Sequence, residues 1–247
     1  MIDIEKVKQT FEKYIKQNYD LNDEEVKRKY SHSLNVANLS KEIVKNSNIL
    51  FEDAQSLSEL IGLLHDIGVF NVIKENNIDH VGEGLKILFD ENNIKSYIKE
   101  RNYDEIIKSA IYNHNKLELA PFLSDDEKLF CNILRDADKI DILKTVAEKN
   151  EAISPDETIS ENMIKHIKEH KTIPNNLLTN KTEELIYVIA YIFDIKYKYS
   201  FYMIEENGYI EKIVKKLNID SNEKVKFIYN EIKSFIRNSI GERYHAE

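Results

Sequence analysis

Six glycines and three prolines make up only about 4% of this 247-residue chain. The pair averages about 12% of protein sequence. Sheet-rich folds spend these residues on many tight turns. So sparse a supply excludes an all-β sandwich or barrel, and with it collagen-like and low-complexity readings. Helical periodicity runs along almost the whole chain, with no internal repeat. No stretch alternates cleanly between apolar and polar over several residues. The expected fold class is therefore all-α.

The pattern predicts helices over 3–17, from Val26 to about Lys45 with Asp23 as cap, and over 52–67 with Gly68 as stop. Further helices are expected from an Asp79 cap to about Phe89, then over 103–115 and 124–149. Ser154, Pro155 and Asp156 mark the expected boundary between a core, 1–150, and an extension, 151–247. The extension reads as a helix near 159–170, a break at Pro174, a tyrosine-rich helix near 181–205, and two final helices after Gly208.

Charged residues at 32% and hydrophobic residues at 42% fit a soluble chain of amphipathic helices, long enough to bury a full core. The single cysteine, Cys131, cannot form an internal disulfide, which fits a reducing compartment. It reads as a small core residue rather than a nucleophile. The opening MIDIEKVKQTFEKY has no apolar signal-peptide core. The apolar run Leu185–Phe193 is too short for a span of about 20 residues. A cytoplasmic protein without a membrane partner is expected. A net charge of −9 argues against a nucleic-acid polymer as partner. It leaves room for a small phosphorylated ligand, because a metal ion or a few local cations can supply the charge. Oligomeric state is open.

Three of the seven histidines sit on apolar helix faces. His32 shares a stripe with Val36, Leu39 and Ile43; His65 continues Leu57, Ile61 and Leu64; His114 follows Ile107, Ala110 and Ile111. A lone histidine of this kind is usually a hydrogen-bonded core residue. Three of them with carboxylates nearby point further. Asp66 directly follows His65, and neighbours about 100° apart on a helix can reach one ion between their faces. Gly62 leaves room beneath Asp66. Asp138 shares a face with Leu134 and Asp141, where a carboxylate is costly unless paired or metal-bound. His32, His65, Asp66 and Asp138 form a mixed nitrogen and oxygen set suited to Mn, Fe, Co, Ni or Zn, with Mg also compatible. His80 and His114 can hold a second ion, bridged to the first by Asp66, so one or two ions are expected.

At these residues the sequence resembles the HD superfamily of metal-dependent phosphohydrolases. The strings YSHSLNVA, LIGLLHDIG, DHVGEG and LRDADKID carry the resemblance across roughly residues 20–150. It implies an all-helical HD core with a C-terminal helical extension. It also implies that His32, His65, Asp66 and Asp138 ligate the first metal, with His80 and His114 matching the extra histidines of two-metal subgroups. Asn115 stands where the GYP-type cyclic-dinucleotide phosphodiesterases carry a second consecutive histidine, and no Gly-Tyr-Pro string exists. The implied activity is hydrolysis of a phosphate mono- or diester, of a nucleotide in particular, by hydroxide formed on the metal and oriented by the catalytic Asp66. Lys139, Lys116 and Arg135 are candidates for contacting a substrate phosphate. A nucleotide-binding sensor without catalysis and a di-iron oxygenase are the alternatives on the same fold.

Two other signals compete. His166, Glu169 and His170 match the H-x-x-E-H zinc-peptidase pattern, though an exposed helix face explains them better. Tyr187, Tyr191, Tyr197, Tyr199 and Tyr202 could stack on a base, though core packing is the commoner use of such a run.

Overall fold

A computed structural model describes residues 2–74, 79–149, 158–219 and 222–241. Every regular element among them is helical. The chain divides into two compact units, Met1–Asp138 and Lys139–Glu247. The expected boundary at Ser154–Asp156 lies outside the described residues, as does His245.

The first unit contains α1 (Ile4–Asn18), α2 (Glu24–Lys45), α3 (Ala54–Leu64), α4 (Val69–Lys74) and α5 (His80–Leu85). After α5 come a π-helical turn at Lys86–Asp90, α6 (Ile94–Tyr97), α7 (Asp104–Asn113) and the start of α8 (Asp125–Glu148). Local chemistry accounts for several boundaries. The Asp23 carboxylate accepts from the backbone N–H of Glu25 and Val26, and Asp79 accepts from Val81 and Gly82, which satisfies otherwise orphaned donors at each helix start. The long helix expected over 52–67 stops at Leu64. A tight turn over 65–68 follows, then α4, which the pattern did not separate because its residues keep the same apolar rhythm.

α2 and α3 pack at close range because of one glycine. A Cβ at Gly62 would lie 2.8 Å from the Ala37 Cα and 2.9 Å from the Ser40 Oγ. The space expected under Asp66 is thus filled by α2. The buried Glu59 joins three helices, with Lys8 of α1 at 2.6 Å and Lys41 of α2 at 3.5 Å. The segment Ala54–Lys74 is long and apolar enough to cross a membrane, yet 78% of its apolar window is buried within the protein. It serves as core.

The second unit takes the rest of α8, then α9 (Glu161–Lys168), a 3₁₀ turn at Asn175–Leu177, α10 (Lys181–Ile189) and a 3₁₀ turn at Ala190–Asp194. α11 (Lys198–Glu206), α12 (Tyr209–Lys216) and α13 (Glu223–Ile240) complete it. The single helix expected near 181–205 is broken at Ile195, which is extended. Ile189, Ala190, Ile192, Phe193 and Ile195 are all buried, and a run that is apolar on every side carries no periodicity to reveal a break. Gly208 takes the left-handed conformation, φ +62°, between α11 and α12, which glycine adopts without steric cost.

Candidate metal centre

The first unit brings six sequence candidates together from five places. His32 comes from the middle of α2, His65 and Asp66 from the end of α3, His80 from the first position of α5, His114 from the end of α7, and Asp138 from α8. Gly62 lets α2 and α3 approach. Gly68 does the same for α5: a Cβ there would lie 2.1 Å from the His80 carbonyl oxygen and 2.4 Å from the Gly84 nitrogen. The glycine after the His-Asp pair therefore seats His80 at the centre.

Asp66 is the hinge of the arrangement. Its Oδ2 faces His65 Nε2 at 3.7 Å and His32 Nε2 at 3.8 Å. Its Oδ1 faces His114 Nε2 at 3.5 Å and His80 Nε2 at 3.7 Å. Asp138 completes the first side, with Oδ1 at 3.2 Å from His32 Nε2 and 3.9 Å from His65 Nε2. Two groups of close-set ligand atoms thus share one residue: His32, His65 and Asp66, and Asp66, His80 and His114.

Proton placement shows what the cluster needs. His65 Nδ1 donates to the Gly62 carbonyl at 2.8 Å, and His114 Nδ1 donates to the Ile111 carbonyl at 2.7 Å. A carbonyl can only accept, so each Nδ1 carries a proton, and Nε2 is the ring atom that each histidine turns toward the carboxylates. His65 Nε2 is buried and has no hydrogen-bond partner among the described residues. Lone pairs facing carboxylate oxygens repel unless protons or a cation lie between them. A metal-ligating histidine commonly donates its other ring N–H to a backbone carbonyl in this way, which fixes the ring's orientation. The donor set therefore fits one or two divalent ions.

Electrostatics agree. Burial pushes His65 down to about 4, against the pull of Asp66 and Asp138, so this imidazole is neutral at pH 7. Burial lowers His80 as well. Burial also opposes protonation of His114, but its contact with Asp66 outweighs this and raises it. Burial opposes ionisation of Asp66 and Asp138, yet the surrounding imidazoles hold both carboxyls well below the usual range, with Lys29 assisting at Asp66.

Lys29 is the site residue that the sequence reading missed. Its Nζ lies 3.1 Å from Asp66 Oδ2. The available signal was its spacing: it sits three residues before His32 on α2, hence on the same face. Lys29 and His80 are also the more exposed members, at 21% and 30% of the side chain, against 6% for Asp66 and 1% for His65. The centre opens toward solvent on that side.

The three candidate phosphate contacts have partners within the protein. Arg135 is buried and donates to the backbone carbonyls of Asn113, Lys116 and Leu117, so its guanidinium braces a loop. Lys139 is buried, with Nζ 2.9 Å from Asp194 and 5.8 Å from the centre of the Tyr191 ring. Its charge, expected to face a substrate phosphate, is paired with Asp194 inside the second unit. Lys116 is exposed and lies over the Tyr112 ring at 5.0 Å.

The competing signals resolve into packing. α9 ends at Lys168, and His170 adopts φ +51° beyond it, so His166 and His170 do not share a helix face. His170 stacks on Phe193 at 5.2 Å and contacts Glu231 at 3.3 Å. Tyr187 and Tyr191 pack edge to face at 4.9 Å. Burial pushes the Cys131 thiol up to about 12, which makes it inert.

The model of the HD domain family matches residues 30–143. No curated protein and no solved structure matches the chain. The all-helical fold, the paired histidine groups around one aspartate and this family match agree, and residues 30–143 of the chain form an HD domain.

Proposed function

We propose that this protein is a metal-dependent phosphohydrolase that cleaves a phosphate mono- or diester of a small molecule, a nucleotide in particular. The observation that carries the reading is the division of Asp66, one oxygen toward each imidazole pair. His32, His65, Asp66 and Asp138 would hold one ion, and Asp66, His80 and His114 a second. When bound, divalent ions supply Lewis acidity toward a phosphoryl oxygen and bring the pKa of a coordinated water down toward ~7.

The chain's own residues do the rest. The carbonyls of Gly62 and Ile111 lock the ring orientation of His65 and His114, so the ligand atoms are preorganised before substrate arrives. The apolar shell of Leu60, Leu63, Leu64, Ile67 and Ile111, all fully buried, keeps bulk water from the rear of the centre. Lys29 at the open side carries a positive charge that strengthens attraction to an anionic group and can turn from Asp66 to a phosphoryl oxygen. In a chain of net charge −9, such a local cation adds to the charge that bound ions would offer a phosphorylated ligand. A single buried cysteine accords with a cytoplasmic setting.

The test is a phosphate-release screen over nucleotides, sugar phosphates and dinucleotides, with Mn, Co, Ni, Mg and Fe supplied separately. Release with at least one metal, abolished by a chelator and restored by the ion, is expected. Tight nucleotide binding without turnover in every metal would instead make the protein a sensor. Oxygen consumption confined to the iron-loaded form would make it an oxygenase.

A further inference from the structure

Large apolar side chains that stand exposed gather in one stretch of the first unit. Among the described residues Leu50, Tyr112, Leu117, Phe122 and Tyr202 are exposed. Three of these five fall between 112 and 122, at the end of α7 and in the loop that leads to α8. Single exposed apolar residues are ordinary on a protein surface, whereas a cluster of them marks a contact face. Phe122 is the extreme member. Its side chain is wholly in solvent, and its backbone holds φ +66°, a left-handed conformation that an aromatic residue rarely adopts. Two costs thus fall on one residue, and strain of this kind persists where the surrounding structure imposes it.

The loop that carries Phe122 is braced at both ends. The buried Asn113 side chain donates to the Ser109 carbonyl at 2.8 Å and accepts from the Ala120 backbone N–H at 2.8 Å. Arg135 holds the carbonyls of Asn113, Lys116 and Leu117. At the far end Ser124 and Glu127 cap α8 reciprocally. The Ser124 backbone N–H donates to the Glu127 carboxylate at 2.8 Å, and the Glu127 backbone N–H donates to the Ser124 hydroxyl at 3.2 Å. Phe122 is therefore held out into solvent by a fixed loop, and a partner that receives it does not have to order that loop first.

Beside it lies a pocket of 360 Å³, walled by Leu85 of α5, Phe89 of the π-helical turn, Tyr112 of α7, and Ala120 and Leu123 of the loop, among others. Phe122 stands between two of these wall residues in the chain, so it rises at the rim. An apolar cavity of roughly 150 Å³ already admits a benzene ring, and this pocket has room for a phenyl side chain. Its own Phe122, wholly in solvent, is not the occupant. The pocket also turns away from the metal centre. At about 100° per residue, Leu85 lies about 140° around α5 from His80, and Tyr112 about 160° around α7 from His114. What fills it leaves the ligands of the centre untouched.

A protruding aromatic beside a hole that accommodates it is self-complementary, and the charges nearby agree. From Phe122 the chain runs directly into Asp125 and Asp126 at the start of α8, and Asp126 has no cationic partner among the described residues. At the pocket, Lys116 Nζ lies 5.0 Å from the centre of the Tyr112 ring and has no carboxylate partner among the described residues. We propose that the chain pairs with a second copy of itself through this face, Phe122 of each copy entering the pocket of the other. The acidic flank of each Phe122 then approaches the lysine at the opposite pocket. Two equivalent contacts close the pair around a two-fold axis, so no further copy is recruited. Aromatic side chains seated in pockets are the usual anchors of such contacts. This pairing does not rest on the phosphohydrolase reading.

Sedimentation equilibrium of the full chain tests it. Wild type should pass reversibly from monomer to dimer as its concentration rises through the micromolar range. Phe122→Gly removes the protruding ring and suits the φ of +66°, so folding is not at stake. Tyr112→Glu sets a carboxylate in the pocket wall at a half-exposed position, where burial against an incoming ring is costly. Each variant should weaken pairing roughly a hundred-fold or more, because a symmetric pair loses two contacts at once and one aromatic anchor commonly accounts for about thirty-fold. Mixing the two variants should restore part of the association, since one copy keeps an intact pocket and the other keeps Phe122. A wild type that stays monomeric would overturn the proposal and leave this face to a different protein. So would pairing that survives in Phe122→Gly, a mass that climbs beyond the dimer, or a mixture no more associated than either variant alone.

Discussion

Asp66 in the first unit and Glu183 in the second are both buried carboxylates, and they are buried in opposite ways. Glu183, fully inaccessible, accepts from the backbone N–H of Ser160 at 3.0 Å, the backbone N–H of Thr179 at 3.0 Å and the Thr179 hydroxyl at 2.6 Å. Burial works against its ionisation, but these donors outweigh it and hold its carboxyl below the ordinary value. Its charge is satisfied by neutral donors of its own unit, and its work is to tie the start of α9 to α10. Asp66 meets four imidazole Nε2 atoms, that of the neutral His65 among them, and one lysine. A carboxylate surrounded by donors is structural. A carboxylate surrounded by lone pairs is waiting for a cation.

The sharpest way to break this comparison is to delete each carboxylate. Asp66→Ala should abolish metal retention, measured by elemental analysis, and lower phosphate release by about a thousand-fold or more, given the several kcal/mol that metal ions supply. Its thermal stability should change little. Glu183→Gln should do the reverse, losing about 3 kcal/mol of stability because an amide N–H₂ is set against existing donors, with metal content intact. Metal loss in Glu183→Gln, or full activity in Asp66→Ala, would erase the distinction. Glu183 also carries a pH signature. A carboxyl depressed in the folded state stabilises above its unfolded pKa, and that stability drains away as pH falls through the folded value. The Glu183→Gln protein should therefore show a shallower loss of Tm on acidification than wild type.

Lys139→Met applies the same comparison at the other sign of charge. Lys139 follows Asp138 directly, but its ammonium is paired with Asp194, which Lys196 approaches only to 3.8 Å. Removing it takes the nearer of two cations from a carboxylate that is 13% exposed. A stability loss of about 3 kcal/mol with unchanged metal content and kcat/KM is expected, read by denaturant unfolding and steady-state kinetics. A selective loss of kcat/KM at unchanged stability would return Lys139 to the substrate.

The smallest expected effect is at Gly68. An added Cβ meets backbone atoms of α5 that cannot rotate away, so Gly68→Ala should push α5 outward at a cost of about 1–3 kcal/mol. His80 moves with it. Elemental analysis should show the second group of ligands weakened while His32, His65, Asp66 and Asp138 retain their ion. Unchanged stoichiometry would show that His80 is not needed for the second ion.

His32, His65 and His114 were legible because each lies on an apolar stripe at helical spacing, and periodicity reports which face turns inward. The all-α class was legible from the scarcity of turn residues. The break at Ile195 was not, because its surroundings are apolar on all sides. Nor were the partners of charged residues. Lys29 finds Asp66 across 37 residues of sequence, and Arg135 finds Asn113 across 22. A long cationic side chain can reach several faces, so spacing alone does not select its target.

By itself the sequence determined that this chain folds into helices, that three histidines and two aspartates turn toward the interior, and that the ligand types suit a divalent ion. Only the tertiary structure decided that Asp66 divides its oxygens between two imidazole pairs, that Gly62 and Gly68 close the approach of α2 and α5, and that Arg135 and Lys139 are engaged within the protein. Periodicity is a property of one helix and is written in local spacing. The meeting of side chains from separate helices depends on how closely their backbones pack, and that is settled only when the core is assembled.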